Sequence, residues 1–136
     1  DCVRNELNNG DQFAKLSNKT NKNLPAFAAW TAEEIKIIKP TQLRRFYTYV
    51  KSIERNAREG KTGGLDNKSE AKLMFLLPKL AGTANVKNDK EKKAIKVLHD
   101  IFATCIQKHK KVKTKDDLER FVVFFEAILD YHSTLQ

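Results

Sequence analysis

The sequence predicts an all-α protein, a compact bundle of about five helices, and three observations carry that expectation. The first is composition: 136 residues with 40% apolar content and eight Phe can fill one core, whereas five Gly and three Pro are too few for a chain of tight hairpins. The second is a set of helix-start signatures, in which a Thr or Asn is followed three positions on by a carboxylate, so that cap and acid satisfy orphan amides reciprocally. They stand at Thr31 with Glu34, Asn67 with Glu70, Asn88 with Glu91, and Thr114 with Asp117. The third is apolar spacing of helical period in the segments that follow.

Residues 1 to 23 are rich in Asn, with only scattered apolar positions such as Val3, Leu7, Phe13 and Leu16, and read as a polar arm or a marginal helix ahead of a helical domain over residues 24 to 136. The first helix is expected near 31 to 39, with Trp30 placed to pack on Ile35 as a hydrophobic staple. Pro40 separates it from a second helix near 41 to 59, for which Thr41 can cap. A third spans about 68 to 84, and Pro78 within it must kink the helix or begin a new turn. The fourth, near 89 to 111, carries a narrow stripe of Ala94, Ile95, Leu98, Ile101, Phe102, Cys105 and Ile106. The last, near 115 to 135, spreads Leu118, Phe121, Val122, Phe124, Phe125, Ile128, Leu129 and Tyr131 over roughly half its circumference, too wide for one neighbour, and is expected at the centre.

Charge narrows the function. Lys and Arg number 26 against 17 Asp and Glu, a formal charge of +9, which points to a polyanionic partner or a membrane surface, nucleic acid being the commoner such partner. No apolar run approaches the roughly 18 to 20 residues that span a bilayer, and the start lacks the basic-then-apolar pattern of a signal peptide, so an intracellular, cytoplasmic protein with no membrane partner is expected. The chain does not open with Met, which suggests a processed or trimmed start.

The second helix orders its charges. Leu43, Phe46, Tyr47, Val50, Ile53 and Ala57 occupy one arc of roughly 120°, which faces the core. Arg44, Lys51, Arg55 and Arg58 fall beside it in a strip about 60° wide and about 20 Å long, the form of a contact to a phosphate backbone. Arg predominates, and its planar fork grips phosphate oxygens bidentately. By contrast Lys90, Lys92, Lys93, Lys96, Lys108, Lys110 and Lys111 scatter over the polar side of the fourth helix and read as solvated. The stretch Lys108 to Lys115 reads as a solvated turn. Tyr49 points roughly 150° away from the strip, so contact to phosphates is expected rather than stacking of bases on an aromatic platform.

Nothing suggests catalysis, a metal or a cofactor. Cys2 and Cys105 have no metal-ligand or redox spacing, and Cys105 lies in an apolar stripe. His99, His109 and His132 read as structural, and Gly60 to Gly64 lacks the phosphate-loop pattern.

Three segments in order, Thr41-Gln-Leu-Arg-Arg-Phe-Tyr47, Leu76-Leu-Pro-Lys-Leu-Ala81 and Phe121-Val-Val-Phe-Phe-Glu-Ala-Ile-Leu-Asp-Tyr-His132, resemble the small subunit of type III-A (Csm-type) CRISPR effector complexes over roughly residues 30 to 134. The resemblance implies a helical bundle present in several copies beside guide RNA and target RNA, with other Csm-type subunits and further copies of itself as partners. It also implies that cleavage belongs to other subunits. Family basic residues in and after the first segment line the RNA channel, which carries over to Arg44, Arg45, Lys51, Arg55 and Arg58. Arg45 lies on a different side of the wheel from the other four. The second segment has Leu77 and Gly82 where the family usually has a basic and an aromatic residue, which leaves Lys79 as its candidate. Two other readings compete: a protein-only helical adaptor, and an RNA-processing enzyme using a histidine.

Overall fold

The computed structural model describes residues 23–60, 63–108 and 112–136. Residues 1 to 22 of the expected arm, Cys2, His109 and the centre of the Lys108 to Lys115 stretch lie outside the described residues.

Helix α1 spans Asn23–Glu34, beginning earlier than the cap signature at Thr31 implied. Pro25 sits in its first turn, where the missing N–H is an orphan in any case. Phe27, Ala28, Thr31, Ala32 and Ile35 then form one buried face. Thr31 is inside the helix, its Oγ1 donating to the Phe27 carbonyl at 2.8 Å, so it caps nothing.

Helix α2 spans Pro40–Asn56. Its cap position is Lys39, not Thr41, because a residue before Pro is held extended and Pro40 is pre-set for the first helical position. Helix α3, Asn67–Met74, is capped by Asp66 rather than Asn67: the carboxylate accepts the Ser69 N–H at 3.3 Å and the Arg58 N–H at 3.0 Å. Those bonds, the one from Arg58 foremost, hold the Asp66 carboxyl below its usual range.

The expected third helix divides at Phe75, and α4 runs over Leu76–Asn85. Pro78 is the cause, since it offers no N–H to the Met74 carbonyl and its ring clashes with it. Helix α5, Asp89–Ala103, starts at Asn88, whose side chain accepts the Glu91 N–H at 2.9 Å. It continues into a π-helical turn over Thr104–Lys108, where Thr104 Oγ1 donates back to the Asp100 carbonyl. Helix α6, Lys115–Thr134, opens on the full capping box of Thr114 and Asp117. Among the described residues these helices are joined by no strand, only by an isolated bridge between Glu59 and Leu65.

Helix α6 is central. It packs chiefly on α1 and α2, and Phe102 of α5 meets both Phe121 and Phe125 with ring centroids 5.0 Å apart. Tyr47 of α2 meets Phe125 edge-on at 5.5 Å. Every residue of the stripe along α5 and its π-helical turn is buried, as are Leu43, Phe46, Val50 and Ile53 of α2 and Ala57 just beyond its end. The α6 arc is narrower than expected: Tyr131 is 38% exposed, and His132 is buried beside it. No helix among the described residues is long and apolar enough to cross a membrane.

Candidate nucleic-acid interface

Burial of the α2 apolar arc turns two shoulders of this helix to solvent. On the shoulder toward α6, Arg44, Lys51 and Arg55 are exposed and recur at i, i+7 and i+11, a straight row of about 16 Å. Among the described residues Arg44 and Arg55 have no ion-pair partner, while Lys51 Nζ bonds Glu54 Oε1 at 2.9 Å. That hydrogen bond, reinforced by the Glu54 charge, raises the Lys51 pKa. The row is flanked by carboxylates on its α6 side. Tyr47 between them has its phenol pKa raised by burial first and then by Glu126, with smaller contributions from Glu54 and Asp130.

Arg58 does not extend this row. The helix stops at Asn56 and Ala57 is extended with φ −70° and ψ 142°, its methyl in the core. Beyond it the chain pairs with the start of α3, Asp66 N–H donating to the Arg58 carbonyl at 3.0 Å. Arg58 therefore lies at a polar cleft with Asn56, Asp66, Lys68 and Lys72. The expected 20 Å strip of four is a row of three plus one arginine displaced by a tertiary pairing that wheel geometry does not contain.

Arg45 belongs to the other shoulder, with Tyr49, Ser52 and Asn56 on the same helical face. Here α2 meets α3 and α4. Tyr49 Oη donates to the Lys72 carbonyl at 2.6 Å, and Lys79 Nζ lies 5.0 Å from the Tyr49 ring centroid. Tyr49, Ser52, Ile53, Lys72, Phe75, Pro78 and Lys79 line a cleft of about 500 Å³, which shares Ile53 and Lys72 with the cleft at Arg58. Lys79 stands here as expected of the second family segment, together with Lys72 and Phe75 and, in the adjoining cleft, Lys68, none of which was among the expected residues. The available signal was Pro78, whose bend sets Lys72 and Lys79 on either side of an outward Phe75.

Among the described residues, His99 and His132 lie apart from these cations. His99 is half-buried between α4 and α5, with Nδ1 3.1 Å from Asp100 Oδ1. His132 is buried, and burial lowers its pKa despite the opposing pull of the Ile38 and Ile35 carbonyls. Cys105 is fully buried, which pushes its thiol pKa far up and leaves it a core residue. Among the described residues no His, Cys, Asp and Glu cluster forms a metal site.

No curated protein and no solved structure matches the chain. A family model described as Csm2 Type III-A matches residues 18–136. That match spans every described element, the basic row and the cleft, and the chain therefore belongs to the Csm2 type III-A family, the small subunit of type III-A Csm complexes.

Proposed function

We propose that this small subunit is non-catalytic and holds guide RNA and the guide–target duplex by their phosphate backbones, without sequence preference. The observation that carries this reading is the exposed row Arg44, Lys51 and Arg55, in a chain of formal charge +9. A rigid helix spaces these cations along a line, and phosphates also lie in a line, so several contacts form without reading a base edge. Specificity then rests on base pairing between guide and target. Arg45, Arg58 and Lys79 contribute from the other shoulder. Further copies of the chain are its partners along the RNA, in the cytoplasm, and the contacts require no cofactor.

The test is binding of the purified chain to unrelated RNAs of equal length. Affinities should agree closely, and log affinity should fall with log salt at a slope of roughly −2 to −3 for the three row contacts. A preference above about 100-fold, roughly 2.7 kcal/mol, would mean that base edges are read and would overturn the reading. Absence of RNA binding would leave a protein-only adaptor.

A further inference from the structure

We propose that the cleft between α2 and the α3–α4 bend takes an unpaired nucleotide of RNA, its base laid on the Phe75 ring and its neighbouring phosphates on Lys72 and Lys79. This rests on the RNA-binding reading above and adds to it a site for single strands as distinct from duplex.

Phe75 is 62% exposed, yet its backbone is fixed on both sides. Its N–H donates to the Ala71 carbonyl at 3.1 Å and its carbonyl accepts the Lys79 N–H at 3.2 Å. The Pro78 break holds the ring outward at the rim of a cleft within the roughly 300 to 1,000 Å³ range of small-ligand sites. Single exposed apolar side chains are ordinary. This one stands among cations, Lys72 and Lys79 beside it and Lys68 and Arg58 in the adjoining cleft. Among the described residues no carboxylate lines the Phe75 cleft, and Asp66, which lines the adjoining one, already accepts two backbone N–H groups. Tyr49, held by its bond to Lys72, braces the floor under Lys79.

An aromatic face interleaved with cations is the chemistry that single-stranded nucleic acid takes, because every base has a π face and every linkage a charge. A duplex keeps its bases stacked and paired, so it offers Phe75 nothing. An acidic protein segment satisfies the lysines but leaves the ring without a specific role.

The experiment uses the full chain with a short oligoadenylate carrying 2-aminopurine, and a duplex RNA of equal length. Stacking on Phe75 should quench 2-aminopurine fluorescence. Phe75→Ala should abolish the quenching and weaken single-strand binding about tenfold, with the salt slope unchanged. Duplex binding should change less than about twofold. Phe75→Trp, which keeps a π face, should restore quenching and affinity, whereas Phe75→Leu should not. Lys72→Gln should instead flatten the single-strand salt slope by about 0.7. Unchanged single-strand binding by Phe75→Ala, equal weakening on both RNAs, or full rescue by Phe75→Leu overturns the site and reassigns the ring to a protein partner. Arg55→Glu separates the two readings: if it weakens duplex binding while Phe75→Ala is silent on both RNAs, the cleft assignment falls and the backbone reading stands. A wild-type chain that binds neither RNA removes both.

Discussion

Phe125 touches Phe102 of α5 and Tyr47 of α2 at once, so a single ring ties three helices together. Phe125→Ala should cost about 3 to 5 kcal/mol, read as a lower denaturant midpoint at unchanged slope. A loss below about 1 kcal/mol would move the centre of the core elsewhere. His132 offers a second test at this scale. Its folded pKa is depressed by burial below the ordinary 6.5, so the unfolded chain takes up the proton first. Stability should fall as pH drops from about 6.5 until the folded pKa is passed, and level off below it. Urea melts on either side of 6.5 should show this component in the native chain and its absence in His132→Gln. Phe125 was legible as a core position from the period of the last helix, and His132 as a structural residue. Tyr131 was not, because an apolar arc of half a circumference exceeds what α1, α2 and α5 cover, and the sequence does not say which edge stays bare.

Helix starts divide by whether the local bond or the tertiary face decides them. At Thr114 the local signature prevails: its hydroxyl accepts the Asp117 N–H at 3.1 Å and the Asp117 carboxylate accepts the Thr114 N–H at 3.2 Å. At Thr31 a similar pattern loses, because the buried face from Phe27 to Ile35 carries the helix through it. Thr41 loses to Pro40, which dictates the extended Lys39. Thr114→Ala should therefore lower stability by about 1 kcal/mol, and Thr41→Ala, at an exposed non-cap position, by less than about 0.5 kcal/mol in the same melts. The reverse ranking would show that the capping geometry of α6 is not what holds its start. The break at Pro78, which leaves Phe75 outward, was legible for a covalent reason, a missing donor, whereas the cleft that Lys72 and Lys79 form beside the ring depended on how α3 and α4 pack on α2.

At the scale of the molecule the question is whether a charge of +9 acts as a field or through placed contacts. The row Arg44, Lys51, Arg55 was readable because burial of one helical face fixes where every other side chain on that helix points. Arg58 was not, because its place is set by Asp66, a partner eight residues away. Two reversals of equal charge change decide between field and contact. Arg55→Glu inverts the far end of the row, and Lys96→Glu inverts an exposed position on α5, beside His99 and away from the row. On the proposed reading, Arg55→Glu should flatten the slope of log duplex-RNA affinity against log salt by about one unit and weaken binding strongly, since it would remove one phosphate contact and set a carboxylate where the backbone would pass. Lys96→Glu changes the global field by the same amount but removes no contact, and at about 0.15 M salt the field is screened over roughly 8 Å. Its effect should stay small. Circular dichroism must show both variants folded, which exposure of both side chains makes the expected result. Equal losses from two folded variants would remove the row as a site and leave the excess charge of the chain as a nonspecific attraction.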